Sequence, residues 1–188
     1  MKQTLVIFSG LPGVGKSTLA NKLARELKWT LLKIDDVIGR VPESPDIEFW
    51  DSKVDVLMDL VHTQLELGLN VIVDSVFMNK DRQHVQKIAE KYNVRFLPIY
   101  VFVSDDQVWQ ERVTKRFNQM NDMDIATWDR IQNHREHFQA WLPNTALFID
   151  SLNPMEENFK QVLDFVNHST VELEPLPEIQ LSQGRYHR

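Results

Sequence analysis

The segment Gly10-Leu11-Pro12-Gly13-Val14-Gly15-Lys16-Ser17-Thr18 satisfies the spacing Gly-x-x-x-x-Gly-Lys-Ser. Glycine at 10, 13 and 15 lets the backbone take conformations barred to other residues and turn several N–H groups onto one anion. Lys16 is placed to reach β- and γ-phosphates, Ser17 to give an oxygen ligand to Mg2+, and the helix expected to follow adds its positive end. The nine residues from Gly10 to Thr18 therefore predict a phosphate-binding loop for ATP and Mg2+.

Three further groups could act on a phosphate held there. Asp35 and Asp36 end the strand expected next after the loop, where a carboxylate can take a proton from an attacking hydroxyl; Asp35 is the preferred base. Asp74 follows Val71-Ile72-Val73, a hydrophobic strand that delivers a carboxylate to Mg2+, and Ser75 stands beside it. Arg112 and Arg116 are four residues apart and share a helix face leading into a polar segment. Brought in by a closing flap, such arginines stabilise charge on a transferring phosphoryl group, with Arg116 favoured as the nearer to the flap. Arg130, Arg135 and Arg82 are weaker candidates, Arg82 as a substrate-side contact. His134 and His137 lack a third ligand for zinc, and Trp109, Trp128, Phe138 and Trp141 read as packing. There is no Asn-Lys-x-Asp pattern for guanine; Asn79-Lys80-Asp81 reads as a helix cap.

The elements that must position these groups alternate. Leu5–Phe8 is a short buried strand, and Leu19, Ala20, Leu23, Ala24 and Leu27 give a helix from about Ser17 to Lys28. Thr30–Ile34 is the next strand, and the stretch from Gly39 to Pro45 a loop. A helix over Phe49–Leu67 ends at Gly68, followed by a strand over Asn70–Asp74 and a helix capped by Asn79. Phe96–Val103 is a strand, and Ser104 with Gln107 looks like a capping box opening a helix to about Phe117. Asn118–Asp124 is polar, Ile125–Trp141 resumes a helical pattern, Ala146–Asp150 is the last strand, and Met155–Val166 the last helix. Asp150 reads as a cap and turn rather than a site residue. This alternation predicts an α/β fold with a parallel sheet covered on both faces and ligands beyond the carboxyl ends of its strands.

At 188 residues the chain fits one compact domain: residues 1–168 with a lid at about 116–141, then an acidic, proline-containing tail at 169–188. Cysteine is absent, which removes disulfides, thiolate zinc sites and a cysteine nucleophile. A net charge of −6 argues against broad sequence-independent binding to nucleic acid while leaving a local basic cleft open. Neither a membrane-spanning run nor a signal-peptide pattern is found, which predicts a cytoplasmic protein without a membrane partner.

Together the glycine loop, Ile34-Asp35-Asp36, Val73-Asp74-Ser75 and the pair Arg112 and Arg116 resemble the P-loop kinases of the nucleoside-monophosphate-kinase-like group. The nearest resemblance is to the AAA_33-type predicted kinases, beside polynucleotide 5′-hydroxyl kinase, zeta-toxin-type kinases and chloramphenicol phosphotransferase. It covers about residues 1 to 167. It implies a three-layer P-loop fold, a five-stranded sheet of order 2-3-1-4-5 with a helical lid, Asp35 acting on the acceptor hydroxyl, and Arg112 and Arg116 clamping ATP. Two positions depart from it: Ile34 stands where many relatives have a basic residue, and Ser75-Val76-Phe77 where they often have Thr-Asn. Phe77 thus predicts a partly apolar acceptor pocket, built with the segment from Val37 to Phe49, the helix that follows it and residues near Arg82. The leading expectation is a kinase that moves the γ-phosphate of ATP to a hydroxyl of a small molecule. A polynucleotide 5′-hydroxyl kinase and an ATP-dependent switch without turnover are the competing readings, and oligomeric state is not encoded in any recognisable pattern.

Overall fold

A computed structural model describes residues 2–38, 49–119 and 127–169. The five strands are β1 (Thr4–Ser9), β2 (Thr30–Lys33), β3 (Val71–Asp74), β4 (Arg95–Phe102) and β5 (Leu147–Asp150). Seven helices occur among the described residues: α1 (Lys16–Leu27), α2 (Ile34–Ile38), α3 (Phe49–Glu66), α4 (Asn79–Lys91), α5 (Asp106–Gln119), α6 (Trp128–His137) and α7 (Met155–His168). The strands form one parallel sheet in the order β2-β3-β1-β4-β5, as the resemblance implied.

Alternation along β1 builds the three layers. Val6 and Phe8 face a core shared with Leu19 and Leu23 of α1, Val113 of α5 and Val162 of α7. Leu5 and Ile7 face the other core, with Leu57 and Val61 of α3 and Val85 and Ile88 of α4. Both faces of this central strand are sealed, so it reads as an unbroken apolar run. Burying each such side chain stabilises the fold by about 1.5–3 kcal/mol, which fixes the strand whose end carries the phosphate loop.

Several boundaries differ from the sequence expectation. β2 stops at Lys33 and Ile34–Ile38 turns into α2, because Ile34 and Val37, three apart, both bury against the α3 core. Asp35 and Asp36 therefore sit in the first turn of a short helix at the strand's end, where the helix dipole favours carboxylates. The helix after β4 is capped by Asp105, whose Oδ1 accepts the Val108 N–H at 3.0 Å, rather than by Ser104; the Ser104 N–H donates to Asp150 Oδ1 instead. Asn79 lies inside α4, and the Met78 N–H donates to Asp81 Oδ2 at 2.9 Å. Gly68 ends α3 in a left-handed conformation (φ 77°), as expected. α6 is shorter than the helix expected to Trp141: Phe138 is extended, and its ring stacks on Tyr100.

The loop at 39–48, the lid tip at 120–126 and the tail at 170–188 lie outside the described residues. Among the described residues no helix is long and apolar enough to cross a membrane.

Candidate active site

The sheet register brings the chemistry to one edge. Phe8, Lys33 and Asp74 are neighbours across β1, β3 and β2, so the glycine loop, the α2 carboxylates and Asp74 leave the sheet side by side. The Ser75 N–H donates to the Phe8 carbonyl at 3.2 Å, and Ser9 Oγ donates to the Val76 carbonyl at 2.9 Å, which zips together the exits of β1 and β3. Gly10, Gly13 and Gly15 all take positive φ, at 139°, 81° and 98°. A Cβ at Gly10 would also lie 2.2 Å from the Val101 carbonyl oxygen, so the loop leaves β1 against the backbone of β4. Gly15 precedes α1 without a side-chain cap, leaving the helix's positive end open to an anion, with Ser17 and Thr18 in its first turn.

Lys16 is buried, and its Nζ donates to the Leu11 carbonyl at 3.1 Å. Burial pushes its ammonium pKa down, opposed by Asp74 and then Asp35 and assisted by Arg116. Burial likewise pushes the Asp74 carboxyl up, opposed by Lys16 and by a hydrogen bond from the Ser17 hydroxyl, with Asp35 adding to the rise. Lys16, Ser17, Asp35, Asp74 and Arg116 thus share one electrostatic neighbourhood. Buried groups whose ionisation is opposed by burial and favoured by a charged neighbour are typical of binding sites.

The two strand-end carboxylates have different partners. Asp35 Oδ2 lies 3.8 Å from Arg116 Nη2, whereas Asp36 Oδ2 lies 3.2 Å from Lys33 Nζ. Arg112 is held beside the loop: its Nη1 donates to Ser151 Oγ at 2.7 Å and its Nη2 to the Ser151 carbonyl at 3.1 Å. Ser151 in turn faces Gly15, where an added Cβ would meet Ser151 Cβ at 3.6 Å.

Other candidates lie elsewhere. Arg82 is buried, with Nε donating to the Phe77 carbonyl at 2.9 Å and the guanidinium between the rings of Phe138 (4.8 Å) and Trp141 (4.7 Å). Desolvation lowers its pKa to about 10, with Tyr100 and Asp81 acting against the fall. Arg135 pairs with Asp106 at 2.8 Å and Arg130 is exposed. Phe77 corrects the expectation of an apolar acceptor wall, since it is 1% exposed and belongs to the α3–α4 core. Its backbone takes a positive φ of 53°, uncommon for a residue with a side chain. A cavity of about 320 Å3 lies on the α5–α6 side of the loop, lined in part by Val14, Tyr100, Trp109, Arg135 and Phe138; Lys16, Asp35 and Asp74 are not in its wall.

For a divalent ion the donor chemistry fits. The Ser17 hydroxyl and the Asp74 carboxylate are hard oxygen ligands already hydrogen-bonded to each other. No three His, Cys, Asp or Glu side chains cluster as a metal cage among the described residues. Mg2+ at a phosphate site needs only one or two protein oxygens, the rest coming from phosphates and water.

Residues 5–138 match the AAA_33 family, described as an AAA domain. The chain belongs to the AAA_33 family. Solved structures of the same fold include a candidate kinase from Chloroflexus aurantiacus J-10-fl, 21% identical, with a TM-score of 0.69 over 88% of this chain and 97% of that one. The APS kinase CysC of Mycobacterium tuberculosis, in complex with AMPPNP and APS, is 17% identical, with a TM-score of 0.62 over 88% of this chain and 98% of the other. A gluconokinase from Sinorhizobium meliloti 1021 is 14% identical, with a TM-score of 0.61 over 89% and 98%. This AAA_33 protein therefore has the three-layer fold of P-loop kinases, which carries the sequence expectation for the sheet.

Two contacts at the loop of this AAA_33 protein carry no signal in the sequence. Ser151 looks like a turn residue after Asp150, and its contacts with Arg112 and Gly15 set it at the loop. Trp109 packs in the core and also donates its indole N–H to the Pro12 carbonyl at 2.9 Å. No local pattern signals either contact, because each joins segments remote in sequence.

Proposed function

We propose that the protein is a kinase that uses ATP and Mg2+ and transfers the γ-phosphoryl group to a hydroxyl of a small molecule. The single observation that carries this reading is the convergence of Asp35 and Arg116 over Lys16, with Asp74 and Ser17 at its side. Bound Mg·ATP supplies the phosphoryl group and an activated leaving group. The loop N–H groups from Gly10 to Thr18 grip the phosphates, Lys16 neutralises charge on them, and Ser17 with Asp74 holds the metal. Arg112, fixed by Ser151, borders the nucleotide.

Asp35 would accept the proton of the acceptor hydroxyl as the hydroxyl oxygen bonds to the γ-phosphorus and the bond from that phosphorus to the β,γ-bridging oxygen breaks, releasing ADP. Its carboxylate faces Arg116 and Lys16, whereas that of Asp36 is taken up by Lys33, which supports Asp35 as the base. Arg116 stabilises the equatorial charge once the lid at about 116–141 closes. A small acceptor is favoured by the net charge of −6, which disfavours a polynucleotide.

Labelled ATP and a panel of hydroxyl metabolites and oligonucleotides test this reading. Transfer to a small molecule that is lost in Asp35→Asn supports it. Absence of transfer to every compound, or transfer that survives Asp35→Asn, overturns it.

A further inference from the structure

We infer that Trp109 is a positioning residue that presets the phosphate loop from outside, by fixing the peptide plane between Pro12 and Gly13. The inference rests on the nucleotide-binding part of the function proposed above.

Trp109 projects from α5, is 4% exposed, and donates its indole N–H to the Pro12 carbonyl at 2.9 Å. The next residue leans on the same helix: a Cβ at Gly13 would lie 2.6 Å from Val113 Cγ2 and 3.3 Å from Trp109 Nε1. The outer wall of the loop therefore rests on α5 at two successive positions. None of the described peptide bonds is cis, so the Pro12 carbonyl and the Gly13 N–H point in opposite directions. Anchoring the carbonyl on Trp109 turns the Gly13 N–H away from α5 and into the loop, where an anion is gripped. Glycine at 13, with φ 81°, has little steric preference of its own to hold that orientation.

The indole is itself held. Trp128 of α6 packs edge-on against it with centroids 5.2 Å apart, and the Arg135 guanidinium lies 5.6 Å from its ring. Arg135 is tied to α5 through Asp106. Helices α5 and α6 thus both bear on the loop through one side chain, and an ordered loop binds phosphate without first losing conformational entropy.

The test replaces the Trp109 indole by its benzothiophene isostere, which keeps the ring shape and removes only the N–H; Trp109→Phe serves as a second variant. ADP affinity by calorimetry, the melting temperature and the Gly13 amide resonance are measured in each full-length protein. Expected for the isostere are an unchanged melting temperature, a shifted Gly13 amide and ADP binding weakened about five- to tenfold, the scale of one lost hydrogen bond. A tryptophan that merely fills space would leave the isostere's ADP affinity and Gly13 resonance as in the unmodified protein, and that result overturns the inference alone. Failure of the unmodified protein to bind ADP overturns the nucleotide reading and this inference together.

Discussion

Arg116 reaches across the mouth of the phosphate loop to Asp35, with 3.8 Å between Nη2 and Oδ2. Both side chains are about half exposed, so the pair adds little to folding, about 0–1 kcal/mol. Its meaning is positional: the pair sets Asp35 and Arg116 beside buried Lys16, as the proposed roles of base and phosphate-side arginine require. Asp35→Asn should therefore leave ATP affinity unchanged or a few-fold tighter while turnover falls by about 10^2–10^4. Calorimetry beside single-turnover kinetics separates the two quantities, and a parallel loss of affinity would contradict this assignment.

The two arginines of α5, Arg112 and Arg116, should separate in kinetics. Arg116→Ala is expected to lower kcat by about 10^3 or more with a small change in KM for ATP, as for an arginine acting on the transition state. Arg112→Ala should raise KM for ATP, and Ser151→Ala should do so more weakly, because it frees the Arg112 guanidinium without removing it. Equal effects of Arg112→Ala and Arg116→Ala on kcat would refute the division of labour.

Asp74 should show a conflict between stability and function. Its folded pKa is raised by burial, so the folded state binds its proton more tightly than the unfolded state does. Stability is then lost as pH rises from the unfolded value of about 4 through the raised folded value, and no penalty exists below both. Asp74→Asn is expected to raise the melting temperature of the ligand-free protein at pH 7, with the gap closing toward pH 3, while Mg2+-dependent turnover disappears. A gap that widens on acidification would reverse the sign and sink the prediction.

Glycine replacement should produce a graded series. Gly68→Ala meets nothing within 4 Å and bears only its positive φ, at a cost of about 1–2 kcal/mol. Gly13→Ala adds a clash with the movable Val113 side chain, and Gly10→Ala a clash with the Val101 backbone carbonyl. Urea unfolding should rank the losses Gly10→Ala above Gly13→Ala above Gly68→Ala, with several kcal/mol at the top of the series.

Arg82 should behave as a core residue. Arg82→Ala removes the guanidinium from between Phe138 and Trp141 and is expected to destabilise by about 2–4 kcal/mol. Arg82→Met, which keeps the volume, should recover much of that loss. If either variant folds normally yet raises KM for the acceptor tenfold or more, the arginine belongs to the substrate site instead.

Much of this was legible one segment at a time. The Gly10–Ser17 spacing, the apolar run before it and the helical period after it place loop, strand and helix without reference to anything distant. Boundaries were lost where a tertiary contact outweighs local pattern. Ile34 and Val37 leave the strand for the α3 core, and Phe138 leaves the helix for Tyr100 and Arg82. Phe77 was expected in an acceptor wall and lies in the core for the same reason, since residue type alone does not tell one setting from the other.

The sequence by itself therefore determined the phosphate loop and the order of elements, because backbone preference and hydrophobic period act over a few residues. Only the tertiary structure decided which partners each group meets. Asp35 faces Arg116 while its neighbour Asp36 faces Lys33, Arg112 finds Ser151 thirty-nine residues away, and Trp109 finds Pro12 ninety-seven residues away. Such pairings follow from sheet order and helix packing, which bring remote segments to one edge, and no local spacing encodes them.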